Sequence, residues 1–169
     1  ERCEHCWMHV PLCLCGLFEP LETRSTVQVF MHAKERGRSS NSGRLVRLAL
    51  RRGDFYIRGL PQSEVPGREA ILEGHRNVVL YPSDDAIPLT REWVEQSDLP
   101  VNLMVPDGNW RQAKRTMVRE PALKDTERVC LLPGAPSRFR LRTQSHDGRL
   151  ATFEAIARAL GIIEGDAVQ

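Results

Sequence analysis

Apolar positions in this chain come in short runs that alternate with amphipathic stretches. Thr26-Val27-Gln28-Val29-Phe30 alternates and is rich in β-formers, which predicts a strand. Phe55 to Gly59, Val78 to Tyr81, Val101 to Val105 and Arg128 to Leu132 predict further strands. Helical spacing falls at Arg44 to Arg51, Thr90 to Gln96, Asn109 to Arg119 and Leu150 to Ile163. Asn41 or Ser42 is the expected cap of the first helix, and Pro121 the expected stop of the third. In the last helix Leu150, Phe153, Ile156, Ala157 and Leu160 share a face, and Gly161 should weaken the final turn. Between these lie a polar loop from Arg36 to Gly43 and a proline- and glycine-bearing stretch from Pro61 to Arg76, with a helical turn expected around Glu69 to Glu73. A short extended piece is expected at Arg138 to Arg142, ahead of a polar loop containing Asp147-Gly148. Strands alternating with helices argue an α/β domain with a mostly parallel sheet.

At 169 residues the chain fits one such domain with a small appendage. No apolar run approaches a membrane span and no secretory signal heads the sequence, so no membrane partner is expected and the cytoplasm is the expected home. A formal charge of +2 and a pI near 8.4 say little about partners. A nucleic-acid footprint has to come from local clusters: Arg44, Arg47, Arg51 and Arg52; Arg111, Lys114, Arg115 and Arg119; Arg138, Arg140 and Arg142. Each alone is more often a solvated surface than a site. There is no G-x-G-x-x-G after a strand and no P-loop lysine motif, which removes the usual nucleotide-binding signatures. No motif supports a Ser-His-Asp or Cys-His arrangement either.

Four of the five cysteines crowd the start of the chain as Cys3-x2-Cys6-x6-Cys13-x-Cys15. Four thiolates suit a tetrahedral Zn²⁺ and leave no open coordination position, so the expected metal holds structure rather than catalyses. Disulfides are the competing account, although nothing else suggests secretion. His5 and His9 are read as bystanders, and Cys130 as a buried small hydrophobe.

Val105-Pro106-Asp107-Gly108-Asn109-Trp110-Arg111-Gln112-Ala113-Lys114-Arg115 follows a largely apolar run and opens a basic helix. A carboxylate and a tryptophan thus fall where a strand ends and a helix begins. In open α/β sheets that position borders the ligand crevice. Either Asp107 serves chemistry, or Asp107 or Asn109 merely caps the helix while Trp110 packs.

Several stretches together resemble one family, the DTW-domain proteins: the cysteine clasp; His32-Ala33-Lys34-Glu35 with Asn41-Ser42-Gly43; Tyr81-Pro82-Ser83-Asp84-Asp85-Ala86; Pro106 through Ala113; and Thr152-Phe153-Glu154-Ala155. The family's Asp-x-Thr-Trp carries Asn109 in place of threonine here, and Ala151 stands where its late helix has serine. The resemblance implies a SPOUT-like domain over 23–169 with a C-terminal trefoil knot, behind a zinc clasp over 1–22. It implies transfer of a 3-amino-3-carboxypropyl group from S-adenosylmethionine to N3 of a tRNA uridine, releasing methylthioadenosine. The adenosyl group is then expected at the loops of Tyr81, Pro82 and Ser83, of Pro106 and Gly108, and from Leu132 through Thr152.

On that footing Asp107 is the expected base for the N3 proton, with Asp84, Asp85 and Glu154 as other candidates. Trp110 either stacks on the base or packs in the core. Arg111, Lys114, Arg115 and Arg44 are expected on RNA phosphates. At Asn41, Ser42 and Gly43 the backbone N–H groups either bind a phosphate or the cofactor's carboxylate, or the segment is an ordinary cap. Two other readings fit the same residues: a SPOUT-like RNA methyltransferase, and a non-catalytic zinc-bearing RNA-binding module.

Overall fold

The apolar runs become the strands of a single parallel sheet. The computed structural model describes every residue except Phe18, 61–67, 141–149 and Gln169. Along the chain run β1 (Thr26–His32), α1 (Ala33–Arg36), α2 (Val46–Ala49), β2 (Gly53–Arg58), β3 (Arg76–Leu80), β4 (Ile87–Pro88) and α3 (Arg91–Glu95). They are followed by β5 (Val101–Asp107), α4 (Trp110–Arg119), α5 (Pro121–Lys124), β6 (Arg128–Cys130) and α6 (Thr152–Glu164). The strand order is β2-β1-β5-β3-β6-β4, and every pairing is parallel.

Central strands of a parallel sheet are covered on both faces, and β5 is buried along its whole length. On one face Val27, Val29, Val78, Leu103 and Val105 pack with Trp93 of α3 and with Ile156, Ala159 and Leu160 of α6. On the other, Phe30, Val79 and Met104 pack with Met117 of α4 and with Ala122 and Leu123 of α5. Gly161 does not end α6. It is buried in the helix, which continues to Glu164.

Other departures from the periodicity have local causes. The helix expected over Arg44 to Arg51 is a 3-10 turn at Gly43–Leu45 followed by α2. It stops early because Leu50 turns extended and pairs with Leu21. Pro121 starts a helix instead of merely stopping one. Glu120 adopts an extended conformation and Pro121 takes the first position of α5, where its missing N–H costs nothing. The elements α1 and β4 are too short to show a period. Arg138 and Arg140 lie in a segment without regular structure, whereas Arg142 and Asp147-Gly148 fall outside the described residues. So does much of the Leu132 to Thr152 stretch to which the expected knot belongs. Among the described residues no helix is long and apolar enough to cross a membrane.

One buried ion pair ties the end of β2 to the end of α4. Arg58 Nε lies 2.6 Å from Glu120 Oε1, and both side chains are buried. The guanidinium also lies over the rings of Tyr56 and Phe30. Removing one partner leaves the other charge in the interior, so Glu120→Ala should lower stability by about 3–5 kcal/mol in urea unfolding. A change below about 1 kcal/mol would show that the pair is solvated in the native state.

Candidate active site and metal centre

Strand β5 continues past the apolar run and ends on Asp107, which is 2% exposed. The helix cap is made elsewhere. Asn109 Oδ1 accepts from Gln112 N at 2.9 Å, and Gln112 Oε1 accepts from Asn109 N at 2.7 Å. This reciprocal capping box frees Asp107 from the capping task. It also explains Gly108, whose φ is +148° and whose added Cβ would stand 2.8 Å from Gln112 Oε1.

Two distant segments converge on the carboxylate. Asn41 Nδ2 donates to Asp107 Oδ2 at 2.6 Å, and Thr152 Oγ1 donates to Asp107 Oδ1 at 2.5 Å. Asn41 Oδ1 in turn accepts from Arg44 N at 3.1 Å, so one side chain both caps the 3-10 turn and grips Asp107. Ser42 Oγ accepts from Phe153 N at 3.3 Å, joining the same turn to the first residues of α6. At Gly43 an added Cβ would meet Asp107 Cγ at 3.0 Å, so the turn approaches the carboxylate as closely as a backbone can.

Beside this junction lies a cavity of about 470 Å³ at the C-terminal ends of β3, β5 and β6. That is within the usual range for a small-molecule site. Of the residues expected to hold the adenosyl group, Tyr81, Pro82, Pro106, Gly108 and Thr152 line it. Ser83 and Leu132 are not among its described lining residues, and Leu132 is 57% exposed. Cys130 lines the wall too and is only half-buried, which its apolar sequence neighbours concealed. Trp110 is 43% exposed and does not belong to the core. Its ring lies 6.2 Å from that of Tyr81, and both line the cavity.

The other candidate carboxylates are hydrogen-bonded, ion-paired or exposed. Glu154 accepts from Ser137 Oγ, Arg138 N and Ala151 N. Burial works against its ionisation, but these donors outweigh it and hold the group below the ordinary glutamate range. Asp84 is exposed, and Asp85 pairs with Arg128 at 2.5 Å.

Arg111, Lys114 and Arg115 all point to solvent along α4. Arg115 and Lys34 both lie near His32, at the end of β1. Burial first, and then the Lys34 charge, hold that imidazole below its usual pKa. Arg44 does not reach the surface. It is 2% exposed and its guanidinium donates to the Ser39 carbonyl, so contact with a phosphate in solvent is closed to it. A run of arginines in sequence carries no information on which one turns inward.

At the N-terminus the Sγ atoms of Cys3, Cys6, Cys13 and Cys15 all lie within 4.8 Å of one another. Cys3 to Cys15 and Cys6 to Cys13 are each 3.7 Å apart. Thiolates about 2.3 Å from a central Zn²⁺ would be about 3.8 Å apart at the tetrahedral edge. These four residues can therefore hold a metal ion. All five cysteines are free and the spacing is far beyond a disulfide, so disulfide pairing is not what the fold builds. Cys6 and Cys15 are shifted in opposite directions. Burial opposes ionisation of Cys6, yet main-chain donors at Leu14 and Met8 pull it down to about 6, while burial pushes Cys15 up to about 12.

The clasp is anchored by Trp7, which follows Cys6 and joins the main core. Its ring meets Phe55 edge-on at 5.5 Å, with the guanidiniums of Arg36 and Arg47 each 5.0 Å from the ring centre. Its φ of +59° is rare for a bulky side chain and persists where surrounding contacts over-determine it. No sequence signal pointed to this anchor.

The model of one family, the DTW domain, matches residues 1–169. The chain belongs to the DTW-domain family. Among curated proteins it is 31% identical to tRNA-uridine aminocarboxypropyltransferase 2 of Drosophila melanogaster, over 97% of this chain and 67% of that protein. The proteins of the same name from Macaca fascicularis and Mus musculus are 23% and 25% identical, over 96% of this chain and 56% of theirs. The chain thus spans from just over half to two thirds of the length of these relatives, which are named as transferases. No solved structure matches it. In this DTW domain the departure at Asn109 keeps the helix cap. At Ala151 the hydroxyl is lost and only the Glu154 half of a capping box forms.

If the clasp is a metal centre, protein purified without added metal should carry roughly one equivalent by elemental analysis. Cys6→Ser should release it and loosen the Trp7 anchor. Less than about half an equivalent in the unmodified protein would contradict the assignment.

Proposed function

We propose that this chain transfers the 3-amino-3-carboxypropyl group of S-adenosylmethionine to N3 of a uridine in tRNA. The observation that carries the reading is the buried Asp107, fixed between Asn41 and Thr152 beside a cavity of ligand size, in a chain of the DTW-domain family. When bound, S-adenosylmethionine supplies an activated carbon next to a sulfonium, and methylthioadenosine is the leaving product. Tyr81, Pro82, Pro106, Gly108 and Thr152 are the residues that would hold its adenosyl part. The largely apolar wall suits a purine.

On this reading Asp107 is the final acceptor of the uracil N3 proton, leaving a lone pair on that nitrogen. Tyr81 and Trp110 offer the substrate base an aromatic surface at the mouth. Arg111, Lys114 and Arg115 contact tRNA phosphates, because one exposed helix face carries all three. Asn41 and Ser42 act by positioning the carboxylate and the start of α6 rather than by gripping the substrate. The clasp over 1–22 holds Zn²⁺ as a structural ion, and residues 23–169 form the catalytic unit with the family's knotted C-terminal part. Reduced thiols at the clasp agree with a cytoplasmic home.

Incubation with tRNA and S-adenosylmethionine, followed by nucleoside mass spectrometry, should show aminocarboxypropyl-uridine and an equal amount of methylthioadenosine. Methylated nucleoside with S-adenosylhomocysteine would establish a methyltransferase instead. No cofactor binding at all would leave an RNA-binding module. Replacing Arg111, Lys114 and Arg115 together by alanine should weaken tRNA binding and flatten its salt dependence, with cofactor affinity unchanged. Unchanged tRNA affinity at low and moderate salt would remove α4 from the interface.

A further inference from the structure

Asp107 is 2% exposed and does not itself line the cavity, whereas Pro106 and Gly108 on either side of it do. A general base must come within hydrogen-bond reach of the proton it takes. Thr152 spans that gap. It belongs to the cavity wall, and its hydroxyl donates to Asp107 Oδ1 at 2.5 Å, the length of a strong O–H···O⁻ bond. The other carboxylate oxygen is held by Asn41 at 2.6 Å, so the acceptor is fixed in orientation.

From this arrangement, and resting on the function proposed above, we infer that Thr152 is a catalytic residue that relays the substrate proton to Asp107. The N3–H bond breaks and its proton goes to Thr152 Oγ1, while the proton already on that oxygen goes to Asp107 Oδ1. The pair left on N3 forms the new N–C bond as the C–S bond breaks, with those electrons leaving on the sulfur of methylthioadenosine. Return of the proton to solvent through the same hydroxyl resets the pair. A hydroxyl is the smallest group able to accept and donate at once, and carbon at that position ends the path.

The relay predicts two protons in flight. In mixtures of light and heavy water the single-turnover rate of the unmodified protein should follow a curved proton inventory. Thr152→Ser should keep the curve and most of the rate. Thr152→Val, measured at saturating S-adenosylmethionine, should lose roughly a hundredfold in turnover, the range of a lost acid–base group. Because the two residues act as one unit, adding Thr152→Val to Asp107→Asn should slow the reaction no further. In the protein without ligands, the hydroxyl proton of Thr152 should give a deshielded, slowly exchanging NMR resonance that Thr152→Val removes. A straight one-proton inventory, near-normal turnover by Thr152→Val, or losses that multiply in the double variant would each overturn the relay. A protein that turns tRNA over in any of these ways still supports the transferase reading; one that never does so contradicts that reading instead, and the NMR resonance alone then judges the Thr152 contact.

Discussion

A carboxylate taken out of water has to be answered by donors, and at Asp107 those donors are what draw three separate parts of the chain together. The turn at Asn41 to Gly43, the end of β5 and the first turn of α6 meet there, at one edge of the core that β5 and α6 already share. Gly43 allows the turn to reach the carboxyl group, and Asn109 relieves Asp107 of the helix cap. The cavity exists on one side of this junction because its wall residues Pro106, Gly108 and Thr152 are positioned by it. A buried carboxylate held by hydrogen bonds from two distant segments is costly to disturb, so the junction resists local opening.

The clasp is the second fixed point. Its four sulfur atoms match a tetrahedral shell, and Trp7 carries that rigidity into the main core between Arg36 and Arg47. Arg44 lies buried near Arg2 and the Cys6 side chain, while its backbone N–H bonds Asn41. The cysteine clasp and the carboxylate are thus linked through one short turn.

What could be read in the sequence was local. Strand β5 and its terminal aspartate followed from an apolar run that breaks at Asp107-Gly108, and the clasp followed from cysteine spacing. The contacts of Asp107 could not be read, because Asn41 lies 66 positions away and Thr152 lies 45 away. Periodicity reports which face of an element is apolar and nothing about which loops will meet. Charge patterns failed in the same way at Arg44, which belongs to a basic run yet is among the most buried polar residues. Family resemblance singled out the stretches that hold Asn41, Asp107 and Thr152, but it gave them separate roles, in substrate binding, proton removal and cofactor binding. The structure then gave each a partner and a distance.

The central claim is that Asp107 acts through its charge. Asp107→Asn preserves size and leaves the Asn109 cap untouched, so single-turnover transfer to tRNA, measured beside thermal stability and binding, isolates that charge. The account predicts a rate lower by roughly a hundredfold or more at neutral pH. Cofactor and tRNA affinities should stay within a few-fold, and the rate should partly recover as rising pH ionises N3 in solution. A variant as stable as the parent that turns over at a near-normal rate would contradict it.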